Sequence, residues 1–368
     1  MTSSSCPTLL PSSAARGHGA CRPTETGQPT RPRLPRPRSR EGCHIDAITA
    51  RRTDTIGVAM YLLAAFFFAL NGVIAKAALN VGFDPMHLTQ LRNAGAMVLL
   101  VAYIAIRHPD RFRITRGELP FLIAYGVIAF TLVQYLYFLT ISRLNVGIGT
   151  LLAFLAPVLV ALWLKFGRRK QVSNRIWLAI VMTLVGLAMV AQVWSGFTLD
   201  PVGVIAGLLC AVALAVYWLL GESGQERRDA VSLTMWGFIF ASLAWAIISP
   251  WWNFPWSVLT RTAEPLMEGA EGLPIWSLMT WGIVMGTILP FLLVLGSLRR
   301  IGAQRAGIVG TTEPLWAGLI GFLLLGEVFA GAQIVGGLIV LTGVIVAETS
   351  RRSGVAVTPG EFPQIREG

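Results

Sequence analysis

Between residues 56 and 349 the chain is a succession of continuous apolar blocks, each about 17 to 24 residues long and each able to cross a hydrocarbon core of about 30 Å as a helix. A backbone in lipid must satisfy its own N–H and C=O groups, which leaves only helices and closed barrels. The runs lack the period-two alternation of a barrel strand, so they read as helices. The predicted spans are Ile56 to Leu79, His87 to Ile106, Leu119 to Ile141, Val146 to Phe166, Trp177 to Val193, Val202 to Leu220, Ser232 to Trp252, Trp276 to Leu295, Ala303 to Leu325 and Ala332 to Ala347.

Composition agrees with this reading: 54% of residues are hydrophobic and 13% charged, with a mean hydropathy of +0.63. These values exclude a water-soluble enzyme, and the apolar excess excludes a chain that is mainly disordered. The net charge of +11 would suggest nucleic acid in a soluble protein. Here the basic residues flank the spans. With a cytoplasmic N-terminus, one side collects Arg51 and Arg52; Arg107, Arg111, Arg113 and Arg116; Lys165, Arg168, Arg169, Lys170 and Arg175; Arg227 and Arg228; Arg299, Arg300 and Arg305; and Arg351 and Arg352. The opposite connections carry only Arg143 and Arg261, so both termini are expected inside and the charge reads as a topology signal, with no nucleic-acid partner. The long connection 253–275 is acidic, and Trp251, Trp252 and Trp256 beside it suit an interfacial anchor.

Residues 1–55, rich in Ser, Pro, Thr and Arg, read as a disordered basic cytoplasmic tail, with an organelle transit peptide as the alternative. No apolar h-region of a secretory signal precedes residue 56. Residues 350–368 read as a cytoplasmic C-terminal tail. Cys6, Cys21 and Cys43 lie in the N-terminal tail and Cys210 inside an apolar block, which gives no disulfide or metal spacing.

An internal repeat organises the spans. Residues 137–190 align without a gap on 294–347 at a constant offset of 157, so that Arg143 meets Arg300, Leu144 meets Ile301, Pro157 meets Pro314 and Gly186 meets Gly343. The first spans of the halves align at an offset of 146, with Gly57 opposite Gly203 and Lys76 opposite Glu222. Two repeats result, 56–193 with helices one to five and 201–349 with helices six to ten. Five is odd, so the second repeat crosses the membrane in the opposite sense. The expected fold class is all-α: a polytopic membrane protein of ten transmembrane helices in two inverted five-helix repeats.

Ionisable groups inside the bilayer are costly and point to function. Thr89, Arg92 and Asn93 share one face of span two, with Gln90 adjacent. That face is expected to turn inward, the alternative being an Arg that snorkels to the headgroups. Glu313 is expected near the middle of span nine, beside the helix turn that Pro314 weakens, where a carboxylate would serve a substrate amine or a coupled proton. Asn71 and Lys76 in span one, Thr131 and Gln134 in span three, and Tyr217 and Trp218 in span six are weaker candidates, for which helix bridging or snorkelling is the leading account. Gly203 with Gly207, and Gly282 with Gly286, have the spacing of close helix contacts. His18 and His44 lie in the tail, His87 and His108 flank span two, and no catalytic or metal-ligating constellation converges, so neither an enzyme nor a cofactor is expected.

The stretches "SRLNVGIGTLLAFLAPVLVALW" and "RRIGAQRAGIVGTTEPLWAGLIGFLLLGEVFAGAQIVGGLIVLTGVIV", with "ALNGVIAKAAL" and "LTQLRNAGA", resemble the EamA-type drug/metabolite transporters over residues 56 to 349. The resemblance implies a multi-pass carrier of the cell inner membrane that exports amino acids or related small metabolites, and Asn71, Lys76, Arg92 and Glu313 match its recurrent polar positions. One departure is that Gly326 and Glu327 align with Arg169 and Lys170, where the family's repeat often keeps Glu.

The expected function is therefore a secondary transporter working by alternating access. Its substrate-binding set is Asn71, Lys76, Arg92, Asn93, Gln134, Tyr217, Trp218 and Glu313, and a zwitterion suits a cavity with one basic and one acidic group. Expected partners are that small molecule and membrane lipid, with proton coupling and a homodimer as further candidates. The alternatives are a flippase or nucleotide-sugar-type carrier, a membrane-embedded enzyme, and a non-transporting scaffold or sensor.

Overall fold

The computed structural model describes residues 40–167, 175–192, 199–225, 228–265 and 271–350. Residues 1–47 form one unit, of which residues 40–47 are described and helical; residues 48–368 form the other. The tail as far as residue 39, the basic residues Arg168 to Lys170, Arg227, Arg351 and Arg352, and the C-terminal residues 351–368 lie outside the described residues.

Among the described residues the chain is all-helical, with no strand and a single β-bridge between Thr262 and Pro274. The helices are α1 (Arg40–Asn80, apolar over Thr55–Asn80), α2 (Pro85–Arg107), α3 (Leu119–Arg143), α4 (Val146–Gly167), α5 (Arg175–Val190), α6 (Pro201–Gln225), α7 (Ala230–Ile248), α8 (span Ile275–Val294, helical on to Gly310), α9 (Glu313–Leu325) and α10 (Gly331–Ser350). Seven of them are long and apolar enough to cross a membrane; α5, α9 and the apolar part of α10 are shorter. Large apolar side chains such as Ile106, Ile247 and Leu323 lie exposed on the outside, as lipid contact requires.

The expected span nine, Ala303 to Leu325, is corrected: it is not one helix. The chain turns at Thr311 and Thr312, and Glu313 and Pro314 open α9 as its first two residues. Proline has no N–H to give and its ring clashes with the carbonyl four residues back, so it is accommodated at a helix start and not inside one. Glu313 is therefore placed at a helix N-terminus and not in mid-helix. Span four is interrupted in the same way at Phe154 and Leu155, before Pro157. The two breaks fall at matching positions of the repeat. So do two π-turns, Val127–Leu132 in α3 and Val284–Ile288 in α8, whose starts are again offset by 157 (127 to 284).

Helical hydrogen bonding runs on from Leu289 to Gly310, past the expected loop at residue 302. The packing partners of this helix run down α1 toward the N-terminus. Phe291 packs on Phe68, Gly296 on Met60, and Ser297 donates to the Gly57 carbonyl at 2.7 Å. After Ile301 the order climbs again, with Gly310 against Tyr61 and Trp316 against Phe66.

In lipid the association of helices rests on close packing, so small residues mark the tight crossings. A Cβ on Gly57 would stand 2.5 Å from Ile301 and 2.9 Å from Arg300; one on Gly203 would stand 2.7 Å from Leu144 and 2.9 Å from Arg143. These are the residues paired by the repeat, with the halves exchanged. The crossing of α5 and α10 is reciprocal as well: Gly186 abuts the Gly336 carbonyl and Val340, while Gly343 abuts the Ala179 carbonyl and Thr183. Gly147 of α4 lies against Gly318 of α9, with the Gly318 Cα 2.8 Å from where a Cβ would stand. Such approaches leave no room for any side chain beyond hydrogen.

Candidate functional site

The polar face of α2 is buried throughout: Thr89, Gln90 and Asn93 are fully enclosed and Arg92 is 5% exposed. Arg92 Nη1 donates to Asn71 Oδ1 of α1 at 2.5 Å, and Nη2 donates to Thr287 Oγ1 of α8 at 2.8 Å. Its guanidinium carbon stands 5.0 Å from the Phe138 ring centroid, a cation–π contact from α3. Every one of these partners is neutral. Nε has no hydrogen-bond partner, and no carboxylate pairs with Arg92 among the described residues. A buried guanidinium left without an anion is held by geometry while keeping donors for one.

The backbone explains that geometry. The π-turn at Val284–Ile288 brings Thr287 to Arg92, and the Thr287 hydroxyl spends its own proton on the Gly282 carbonyl at 3.1 Å, leaving a lone pair for the guanidinium. Gly286 gives Asn71 its space, since a Cβ there would stand 2.1 Å from Asn71 Oδ1. At the matching π-turn of α3, the Phe130 carbonyl accepts from Asn93 Nδ2 at 2.9 Å.

Tyr137 lies between α1 and α4. Its hydroxyl lies 3.1 Å from Thr150 Oγ1, and Thr150 donates its own proton to the Val146 carbonyl at 2.9 Å, so Tyr137 is the donor to Thr150. Gly72 makes room for the ring, a Cβ there falling 2.5 Å from the Tyr137 hydroxyl. Glu313 is partly buried and has no cation within salt-bridge distance among the described residues.

The structure thus gathers Asn71, Arg92 and Asn93 in one polar core, adds Thr287 and Phe138 to it with Tyr137 and Thr150 beside it, and places Glu313 at the start of α9. Gln134 is partly buried on α3 and enters none of these hydrogen bonds. Tyr217 joins the ring cluster of Tyr125 and Phe130, at 5.7 and 6.1 Å, one ring from the anchor of Asn93. Trp218 packs beside Ala156 and Val160. Lys76 pairs with Glu327 at 3.3 Å and also donates to the Leu144 carbonyl, near the end of α3.

At the other end of α3, Arg228 pairs with Glu118 at 3.0 Å and donates to the Arg113 carbonyl and to Ser232, while Arg111 pairs with Asp229 at 3.0 Å. The hydrogen bond from Arg228, with a second from the Thr115 amide, holds the Glu118 carboxyl below the ordinary carboxylate range. These ties join the α2–α3 and α6–α7 connections. A cavity of about 20 Å³ between α2, α7 and α8, touching Thr287, has room for one water and none for a metabolite. Among the described residues no cluster of His, Cys, Asp or Glu could hold a metal ion.

Comparison with known proteins identifies the architecture that carries this core. The EamA-like transporter family matches twice, over residues 55–192 and 201–349. The chain belongs to this family. It is similar to an uncharacterized transporter of Archaeoglobus fulgidus, 26% identical over 295 residues that cover 79% of this chain and 96% of the relative. It is also similar to the threonine/homoserine exporter RhtA of Salmonella typhimurium, 25% identical over 313 residues, covering 83% and 94%. The inner membrane transporter YicL of the same organism is 26% identical, covering 80% and 96%. A solved crystal structure superposes with a TM-score of 0.50 at 17% identity, covering 81% of this chain and 99% of its own, which is a likeness of fold. This EamA-like chain is a multi-pass membrane protein of a transporter family.

Proposed function

We propose that this protein exports amino acids or related small metabolites by alternating access, as a secondary transporter. The reading takes the chain as ten transmembrane helices in two inverted repeats, 56–193 and 201–349, with both termini cytoplasmic. The matched breaks, the matched π-turns and the exchanged glycine contacts support that arrangement, and the flanking Lys and Arg support the orientation.

The observation that carries the substrate class is that Arg92 is buried among neutral partners and that neither it nor Glu313 is ion-paired among the described residues. A zwitterion supplies an anion to one and a cation to the other, so the desolvation of each charge is offset on binding. Asn71 and Thr287 hold the guanidinium in place. The relative named as a threonine/homoserine exporter adds weight to an amino-acid substrate.

The test is flux in proteoliposomes against labelled amino acids, amines and nucleotide sugars, with and without a proton gradient. Glu313→Gln and Arg92→Ala are expected to abolish flux while the protein still inserts. Full transport by both variants would remove this site.

A further inference from the structure

Glu327 lies outside the polar core yet is only 8% exposed, at the start of the α9–α10 connection. The chain reaches it through Gly326, which leaves α9 in the left-handed conformation at φ 65°. Both carboxylate oxygens accept from the Val146 amide, at 2.8 and 2.9 Å. Val146 opens α4, whose preceding Asn145 makes no side-chain cap, so the carboxylate from the second repeat serves as the cap of a helix in the first. Lys76 of α1 closes the arrangement at 3.3 Å. Gly321 leaves the space, since a Cβ there would stand 2.5 Å from Glu327 Oε2.

One residue, Val146, links this cluster to Tyr137 beside the polar core. The Val146 N–H binds Glu327, while the Val146 carbonyl accepts the Thr150 hydroxyl, which accepts from Tyr137. A shift of Tyr137 on binding is thereby felt at the first turn of α4.

We propose that Glu327 is the latch that shuts this end of the chamber, and that its release from Val146 and Lys76 is required before the two repeats part there. The proposal rests on the alternating-access reading. The latch couples to the site through Tyr137, Thr150 and Val146, so occupancy and opening are linked in both directions. A carboxylate with two charge-assisted contacts in a buried setting contributes enough to bias a two-state closure on its own.

The experiment places a reporter, Ala317→Cys, one turn beyond Glu313 in a background without Cys6, Cys21, Cys43 and Cys210. A membrane-impermeant maleimide is applied from the side where residues 81–84 lie, to the full-length protein in liposomes. Glu327→Gln and, separately, Lys76→Met are expected to raise the labelling rate by about tenfold. Unchanged rates in both inserted variants overturn the latch. In the parent protein, substrate is expected to shift labelling between the two sides. If it shifts while the variants match the parent, the latch alone is wrong; if it shifts in no protein, the alternating-access reading has failed first.

Discussion

Thr287 accepts a hydrogen bond from the Arg92 guanidinium at 2.8 Å and so ties α8 to α2 across 195 positions of sequence. Thr287→Val keeps the shape and removes the acceptor. The stranded donor is expected to cost about 1–3 kcal/mol of stability, because a buried guanidinium N–H loses its protein partner. Thermal melting in detergent reads this, and the concentration of substrate for half-maximal flux is expected to rise as the guanidinium loses its fixed orientation.

Gly286 and Gly282 give a paired test of the same geometry. A Cβ at Gly286 would stand 2.1 Å from Asn71 Oδ1, whereas at Gly282 it would meet that atom at 3.4 Å. Gly286→Ala is expected to displace Asn71 and with it Arg92, and to abolish flux in a protein that still inserts. Gly282→Ala is expected to retain most of its flux.

Much of this was legible in the sequence, for identifiable reasons. Spans follow from apolar length, and the offsets make Gly57 equivalent to Gly203 and Ile301 to Leu144, although which of them touch is visible only in the structure. Arg92 and Glu313 stand out because charge in lipid is rare. Thr287, Tyr137 and Thr150 do not, because a hydroxyl in an apolar helix is indistinguishable from one that bonds its own backbone. Glu327 reads as a surface loop acid until Val146 and Lys76 are seen beside it. Pro314 signalled a weakened helix, but the repeat held the stronger clue: a proline at both Pro157 and Pro314 marks two helix starts.

The α5–α10 crossing tests the reciprocity of the halves. Gly186 and Gly343 each face backbone of the other helix, with a Cβ placed 2.6 Å from the Gly336 carbonyl and 3.0 Å from the Ala179 carbonyl. Gly186→Ala and Gly343→Ala are each expected to destabilise by about 1–3 kcal/mol through overpacking, with Gly186→Ala the more severe. Melting temperatures of the purified variants check the order. Gly331, with nothing near it, is the control that is expected to tolerate Ala.

The Glu118–Arg228 pair gives a pH dependence of known sign. The folded carboxyl titrates below its unfolded value, so its contribution is present above about pH 4.3 and is lost as pH falls through the folded value. Between about pH 6 and about pH 3 the parent protein is expected to lose more melting temperature than Glu118→Gln. Equal losses would show that the Arg228 contact adds nothing to stability.

The central claim is that Arg92 and Glu313 together read a zwitterion. Counterflow in liposomes measures it directly, with an amino acid that is transported competing against its carboxamide and its des-amino analogue. Competition by the intact amino acid alone is the expected result. Equal competition by either analogue would contradict the claim, because one of the two charges would then have no part in recognition.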